Sequence, residues 1–433
     1  MFAALHKRRV LLIGIAGAVG LTLLLATRRR EPQFKGRPAS QYVLQTLTSN
    51  RYGSEAAFRQ VQPMGAAIAV PALARVIDRE DSQWRRLYHK ALPHAPLWLR
   101  KRMYIQGWNQ QLLMDCSMAL GAFGSDAAPA VPTLAALYER LDRKQEDFLK
   151  TILAAQLGRI GTNACAAIPT LIEGTRTSNP QPVRTSAIAA LAAIDPAGER
   201  SSSKLGRLIF DPDNAVVVAA VHALGGMARR SPELVPHLRA AIQARELSVC
   251  LAAAGHMRQL HVLTRKDVDP FIRDLQSSNA TTRLMGASVL IHARDFATEA
   301  VPLLRPAAND RDSRVGEAAS KSLVEFAWDG SVDRHCRLTA AETVLRYGDP
   351  NQSWLMMDVL PRIQATSPET LQLLGAALQN PAERTRGKAA QTLGRLGPLA
   401  KETVPDLTKL LDDEWRNVRE AATNALRAIE SLK

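Results

Sequence analysis

Catalytic signatures are missing from these 433 residues. There is no H-E-x-x-H, no phosphate-binding P-loop, no G-x-S-x-G elbow and no glycine-rich turn after a strand. The chemistry that depends on those motifs has no support here. The glycine-spaced run at 14–20 (GIAGAVG) lies inside an apolar stretch, where a phosphate loop has no place. The nine histidines are scattered: His256 and His261 stand five apart, a poor fit to one helix face, and His89 and His94 flank Pro93. Only four cysteines occur, Cys116, Cys165, Cys250 and Cys336, with no C-x-x-C or Cys/His cluster, so no zinc site is expected. Cys116 and Cys250 stand where alanine or leucine stands in related segments, as small core residues would. Aromatics make up 5% of the chain, and no run alternates convincingly as a strand would. Nor is the composition that of a disordered chain, since 46% of residues are apolar.

What the sequence does have is a repeated sentence. In Pro381 to Ile429, Ala389, Ala390, Leu393 and Leu396 fall at helical spacing and give one helix an apolar stripe. Gly397-Pro398 stops that helix, because glycine tolerates a left-handed cap and proline cannot continue the ladder. Pro405 sits where a first-turn proline is harmless, and Leu407, Leu410 and Leu411 line a second helix. After Asp412-Asp413, the residues Val418, Ala421, Ala422, Ala425, Leu426 and Ile429 repeat the first stripe. Similar wording recurs at 115–137, 148–172, 182–194 and 215–242. A proline opens the second helix at Pro71, Pro132, Pro169, Pro236, Pro270, Pro302 and Pro405, with Leu205 near where one is missing. Steps of 37, 34 and 32 residues separate Pro132 from Pro169, Pro236 from Pro270 and Pro270 from Pro302. Periods of that size mean supersecondary units that bury their stripes by stacking.

Segments such as VREAATNALRAI and AAQTLGRLGPLAKETVPDLTKLL resemble the bacterial short-form HEAT repeat, over roughly residues 56 to 430. The resemblance implies an armadillo-type, all-α solenoid, a right-handed superhelix of stacked helical hairpins. Such arrays resemble scaffolds, adaptors, enzyme subunits and nucleic-acid binders alike, so the repeat names a fold rather than an activity. Chromophore lyases and certain alkyl-base glycosylases resemble the same class. In HEAT-like families an acidic turn also pairs with a basic residue of the next unit. Arg184 and Arg419 stand in the matching V-R slot, whereas Val217, Gly316 and Gly387 depart from it, so no continuous Asp–Arg ladder is expected.

The net charge is +15, and Lys7, Arg8, Arg9, Arg28, Arg29 and Arg30 account for six of it. These flank Val10–Ala26, an uncharged run that spans a bilayer at the short limit once Thr27 is included. An uncleaved single-pass anchor is the expected reading, with a cleaved signal peptide as its rival. The positive-inside rule leans toward a cytoplasmic array, while a short basic N-terminus also begins exported proteins; the side stays open. Residues 31–55 read as a linker with a short capping helix started by Pro38, burying Tyr42, Val43, Leu44 and Leu47.

The array occupies 56–433, with an insertion at about 79–112. That insertion gathers half the tryptophans, Trp84, Trp98 and Trp108, with Arg85, Arg86, Lys90, Arg100, Lys101 and Arg102. Insertions in repeat arrays map to one face, and Arg with Trp suits a binding hot spot, so these nine residues form the candidate binding surface. Asn179, Asp211, Asp213, Asn279, Asp310, Asp312 and Asp412 punctuate the starts of first helices as caps. Trp328 and Trp354 are expected to fill gaps that alanine leaves elsewhere. The expected function is a membrane-anchored scaffold or adaptor for protein partners not yet identified. No catalytic residue, metal, cofactor or small-molecule substrate is expected. A lyase-like enzyme or enzyme subunit is the alternative, and a nucleic-acid-binding array comes third.

Overall fold

In the computed structural model, residues 31–48, 54–82, 110–141 and 146–430 are described. The helices fall into two compact units, Met1–Pro232 and Glu233–Lys433. The first unit opens with a two-residue antiparallel hairpin, β1 (Gln33–Phe34) and β2 (Arg37–Pro38), which the sequence reading did not anticipate. A two-residue ladder is too short to show an alternating pattern. Its edge is sealed by Phe34 meeting Tyr42 edge-on, ring centroids 4.9 Å apart. Helix α1 (Ala39–Thr48) follows, burying Ala39, Val43 and Leu47. After it come α2 (Ser54–Val61), α3 (Ala66–Glu80), α4 (Gln110–Ala122), α5 (Val131–Arg140), α6 (Asp147–Ile160), α7 (Ile168–Gly174), α8 (Gln181–Ile194), α9 (Ser202–Arg207) and α10 (Asn214–Met227).

In this unit α2, α4, α6, α8 and α10 are first helices, each packed on the next, while α1 lies against α3. Each of the second helices α5, α7 and α9 packs on the first helix that follows it. The second unit continues with α11 (Val235–Gln243), α12 (Leu247–Gln259), α13 (Arg265–Asp274), α14 (Ala280–Val289), α15 (Ala297–Ala307), α16 (Ser313–Trp328), α17 (Arg334–Tyr347), α18 (Pro350–Val359), α19 (Pro368–Ala377), α20 (Glu383–Leu396), α21 (Val404–Lys409) and α22 (Arg416–Glu430). Here the even-numbered helices from α12 to α22 form the row of first helices. The weakened pattern between Pro302 and Pro405 still folds as regular pairs.

One five-residue phrase shows how sequence becomes packing. Leu157-Gly158-Arg159-Ile160-Gly161 ends α6, and Leu393-Gly394-Arg395-Leu396-Gly397 ends α20. The leucine in each is fully buried. The first glycine permits close approach: a Cβ on Gly394 would lie 2.9 Å from Ala425 Cα on α22, and one on Gly158 3.1 Å from Ala190 Cα on α8. The second glycine takes the left-handed conformation that ends the helix, φ 74° at Gly161 and 62° at Gly397.

The prolines divide into two groups. Pro132, Pro169, Pro236 and Pro405 stand at the second position of their helices, after a 3-10 turn. Pro71, Pro270 and Pro302 lie inside α3, α13 and α15, because there the preceding turn is α-helical and the helix begins five residues earlier. They do not open their helices as the sequence reading has it.

Cys116, Cys250 and Cys336 are buried and Cys165 is exposed; none is disulfide-bonded. Burial pushes the Cys116 and Cys250 thiols up, the latter to about 11. A native thiol titration should therefore label one cysteine rapidly and four after denaturation, and Cys165→Ser should remove the fast phase.

No helix among the described residues is long and apolar enough to cross a membrane. The expected span at 10–27 lies outside the described residues. So does the candidate surface of Trp84, Arg85, Arg86, Lys90, Trp98, Arg100, Lys101, Arg102 and Trp108, between the end of α3 and the start of α4.

Candidate functional site: a ladder with an open rung

The fourth residue of each first helix occupies one recurring slot. From α8 to α16 these are Arg184, Val217, Cys250, Arg283 and Gly316, and from α18 to α22 they are Ser353, Arg386 and Arg419, thirty-three residues apart within each series. Where arginine fills the slot it clamps the preceding turn. Arg283 Nη1 donates to the carbonyls of Ser277 and Ser278 at 2.9 Å each, and Arg386 Nη1 to those of Asn380 and Pro381 at 2.9 Å each. Arg419 Nη1 does the same with Asp413 and Glu414, at 2.6 and 3.0 Å.

The rest of the guanidinium reaches forward to an aspartate 27 residues on. Arg283 forks onto Asp310 (2.7 and 2.9 Å) and Arg386 onto Asp413 (2.7 and 3.0 Å), while Arg184 pairs with Asp211. Each aspartate also accepts a backbone N–H two residues ahead, from Asp213, Asp312 or Trp415. The paired arginine holds Asp310 and Asp413 below the usual carboxylate range, although burial pulls the other way.

The ladder is thus discontinuous, as expected from the sequence, but the structure corrects which residues form it. Arg386, not Gly387, is the slot residue of its repeat, and Arg283 belongs to the slot as well. Val217 and Gly316 do lack the cation. Asp413 rather than Asp412 is the acid of the last turn. Caps form as expected at Asp213, Asn279 and Asp312, whose side chains accept from Ala215, Thr281 and Arg314 N–H groups.

At Ser353 both members of the rung are replaced. The acid position, 27 residues on, holds Asn380, and the serine reaches back only as far as the Val344 carbonyl, 3.3 Å. The space left open is a groove of about 440 Å³ in the second unit. It is lined by the end of α17 (Leu345, Arg346), the start of α18 (Ser353, Trp354, Met357) and the turn at Asn380. Trp354 is 42% exposed along this groove, so it does not fill a gap in the core. Its indole N–H points to the Arg384 carbonyl at 3.4 Å, and Lys388 Nζ lies 5.1 Å from its ring centre.

The charges around the groove are mostly paired. Arg346 contacts Glu369 at 2.9 Å, and Lys388 and Arg395 both meet Asp358, at 2.7 and 3.0 Å. Burial raises the Asp358 carboxyl, but these two cations outweigh it and the net shift is downward. Ser353 and Thr385 are the hydroxyls here, and no histidine or cysteine lines the groove beside them. Among the described residues no three His, Cys, Asp or Glu side chains come together as a metal site requires. What the arrangement offers is recognition: an aromatic wall, an amide and an apolar floor.

A family model described as HEAT repeats matches residues 168–257 and 337–427, the second stretch containing the groove. No curated protein matches the chain. Among solved structures, one of Kap95p with RanGDP is 13% identical with a TM-score of 0.48, over 90% of this chain and 60% of that one. YibA of E. coli is 16% identical with a TM-score of 0.42, over 67% of this chain and 99% of that one. Importin beta is 14% identical with a TM-score of 0.43, over 89% of this chain and 55% of that one. The chain thus spans 60% or less of the two longer structures.

Proposed function

We propose that this chain is a protein-binding array of HEAT repeats, held at a membrane by its N-terminal segment. The observation that carries the binding role is the open rung in α18. A half-exposed tryptophan stands beside a groove at a slot that the following repeat closes with its own Arg386. Tryptophan anchors in pockets are what carry most of the energy of protein–protein contacts. The tether rests on the sequence: an uncharged run at 10–27 between two basic triplets. The tryptophan- and arginine-rich stretch from Trp84 to Trp108 serves the same role as a second contact surface.

The test is affinity purification of the tagged full-length protein from solubilised membranes. Discrete partners should co-purify, and Trp354→Ala should lower their recovery about tenfold or more while the melting curve stays put. Turnover of a small substrate by the isolated chain would overturn the scaffold reading. Release of the chain from membranes by high-salt and carbonate washes would overturn the tether. Protease accessibility of a C-terminal tag then reports which side the repeats occupy.

A further inference from the structure

The ladder itself indicates what the open rung was shaped to hold. In the repeats of Arg283 and Arg386, the slot contains a guanidinium resting on the carbonyls six and five residues before it. The corresponding carbonyls for Ser353 are those of Tyr347 and Gly348, and Gly348 lines the groove. No N–H or hydroxyl of the described residues donates to either one. Asn380 stands where the other rungs have aspartate and uses its Oδ1 on the Ala382 N–H at 3.0 Å, as those aspartates use theirs. Trp354 adds an aromatic wall that neither filled rung has, and a flat face suits a flat cation.

We propose that the groove between α17, α18, α19 and α20 receives an arginine side chain from a partner protein, completing in trans the rung that Ser353 leaves open. The guanidinium donates to the Tyr347 and Gly348 carbonyls and stacks against Trp354. Asn380, being neutral, leaves the contact without the ion pair that makes the internal rungs permanent, so the partner's arginine exchanges. Arg346 and Lys388 oppose a third cation, but each is already turned onto a carboxylate, Glu369 and Asp358. The lysine occupies one side of the indole, so the arginine uses the side facing the groove. This inference rests on the protein-binding reading and adds the chemistry of the partner.

The test uses the full chain labelled with 5-fluorotryptophan, with the Trp354 fluorine resonance assigned through Trp354→Phe. The probes are three blocked pentapeptides identical but for a central arginine, citrulline or leucine. The arginine peptide should shift the Trp354 resonance to saturation, and the citrulline peptide should bind at least about tenfold more weakly. The paired substitution Ser353→Arg with Asn380→Asp should supply the rung in cis, abolish that shift and raise the melting temperature by about 2–4 °C. Equal shifts from the leucine or citrulline peptide, or none from the arginine peptide, would overturn the arginine assignment. So would a pair of substitutions that fails to stabilise the fold. Partners that still co-purify and still depend on Trp354 in that event would leave the protein-binding reading standing and dispose of the arginine alone.

Discussion

Leu393→Asp is expected to unfold the C-terminal repeats of the second unit. Leu393 is fully buried in α20, one residue before the glycine that lets α22 approach most closely. Truncating such a leucine to alanine costs about 2–5 kcal/mol through lost burial and the cavity left behind. A carboxylate adds the penalty of an unpaired buried charge, so the total exceeds about 5 kcal/mol, comparable with the whole stability of a domain. In a stack whose units contact only their neighbours, the damage spreads from α20 to α21 and α22 first. Far-UV circular dichroism should lose part of its cooperative transition, and limited proteolysis should cut first within 383–430. Leu399→Asp is the control, since Leu399 is 56% exposed and should change stability by no more than about 0.5 kcal/mol. Equal melting curves for the two variants would mean that the buried stripe of α20 is not what joins it to α22.

That stripe was legible in the sequence because burial on a helix leaves a periodic mark. Ala389, Ala390, Leu393 and Leu396 stand out by spacing alone, and all four are buried. The stop at Gly397 was legible for the same local reason, as a glycine before a proline announces a left-handed cap. The ladder was only partly legible. Its arginines lie at one helical position, but the sequence aligns Gly387 with Arg419 as readily as it aligns Arg386. Only the three-dimensional stack decides which of the two faces the Asp413 turn. The open rung was harder still. Its signal is a serine and an asparagine where three other repeats carry arginine and aspartate, 27 residues apart, and a missing side chain stands out only once the slot is known. Trp354 illustrates the limit most sharply. An aromatic in an alanine-rich array reads as filler, and its half-exposed position depends on the small residue beside it.

Arg386→Ala should clearly destabilise the second unit, and its pH dependence identifies the interaction. Arg386 is 11% exposed and Asp413 7%, and the pair joins consecutive repeats while also tying down the Asn380 and Pro381 carbonyls. Losing the arginine strands a part-buried carboxylate that keeps only the Trp415 N–H and the neighbouring charge of Arg419. A cost of about 2–3 kcal/mol follows, short of the largest values for broken buried pairs because that N–H remains. Arg386→Lys should recover only part of it, since an ammonium cannot reproduce the two-point fork. The Arg386 hydrogen bond depresses the Asp413 carboxyl in the folded protein. Its contribution is therefore fully present above the unfolded value near 3.9 and is lost as pH falls through the lower folded value. The gap in melting temperature between wild type and Arg386→Ala should stay constant from pH 7 to about 5 and close below about pH 4. His292 complicates absolute stability in acid: burial first, then Arg258 and Arg294, push its imidazole down to about 4, so folding loses ground as pH falls below about 6.5. Both proteins carry that histidine, and it drops out of the difference. A gap that persists undiminished at pH 3 would show that Arg386 holds the repeats together through its contacts to the carbonyls, with the carboxylate a bystander.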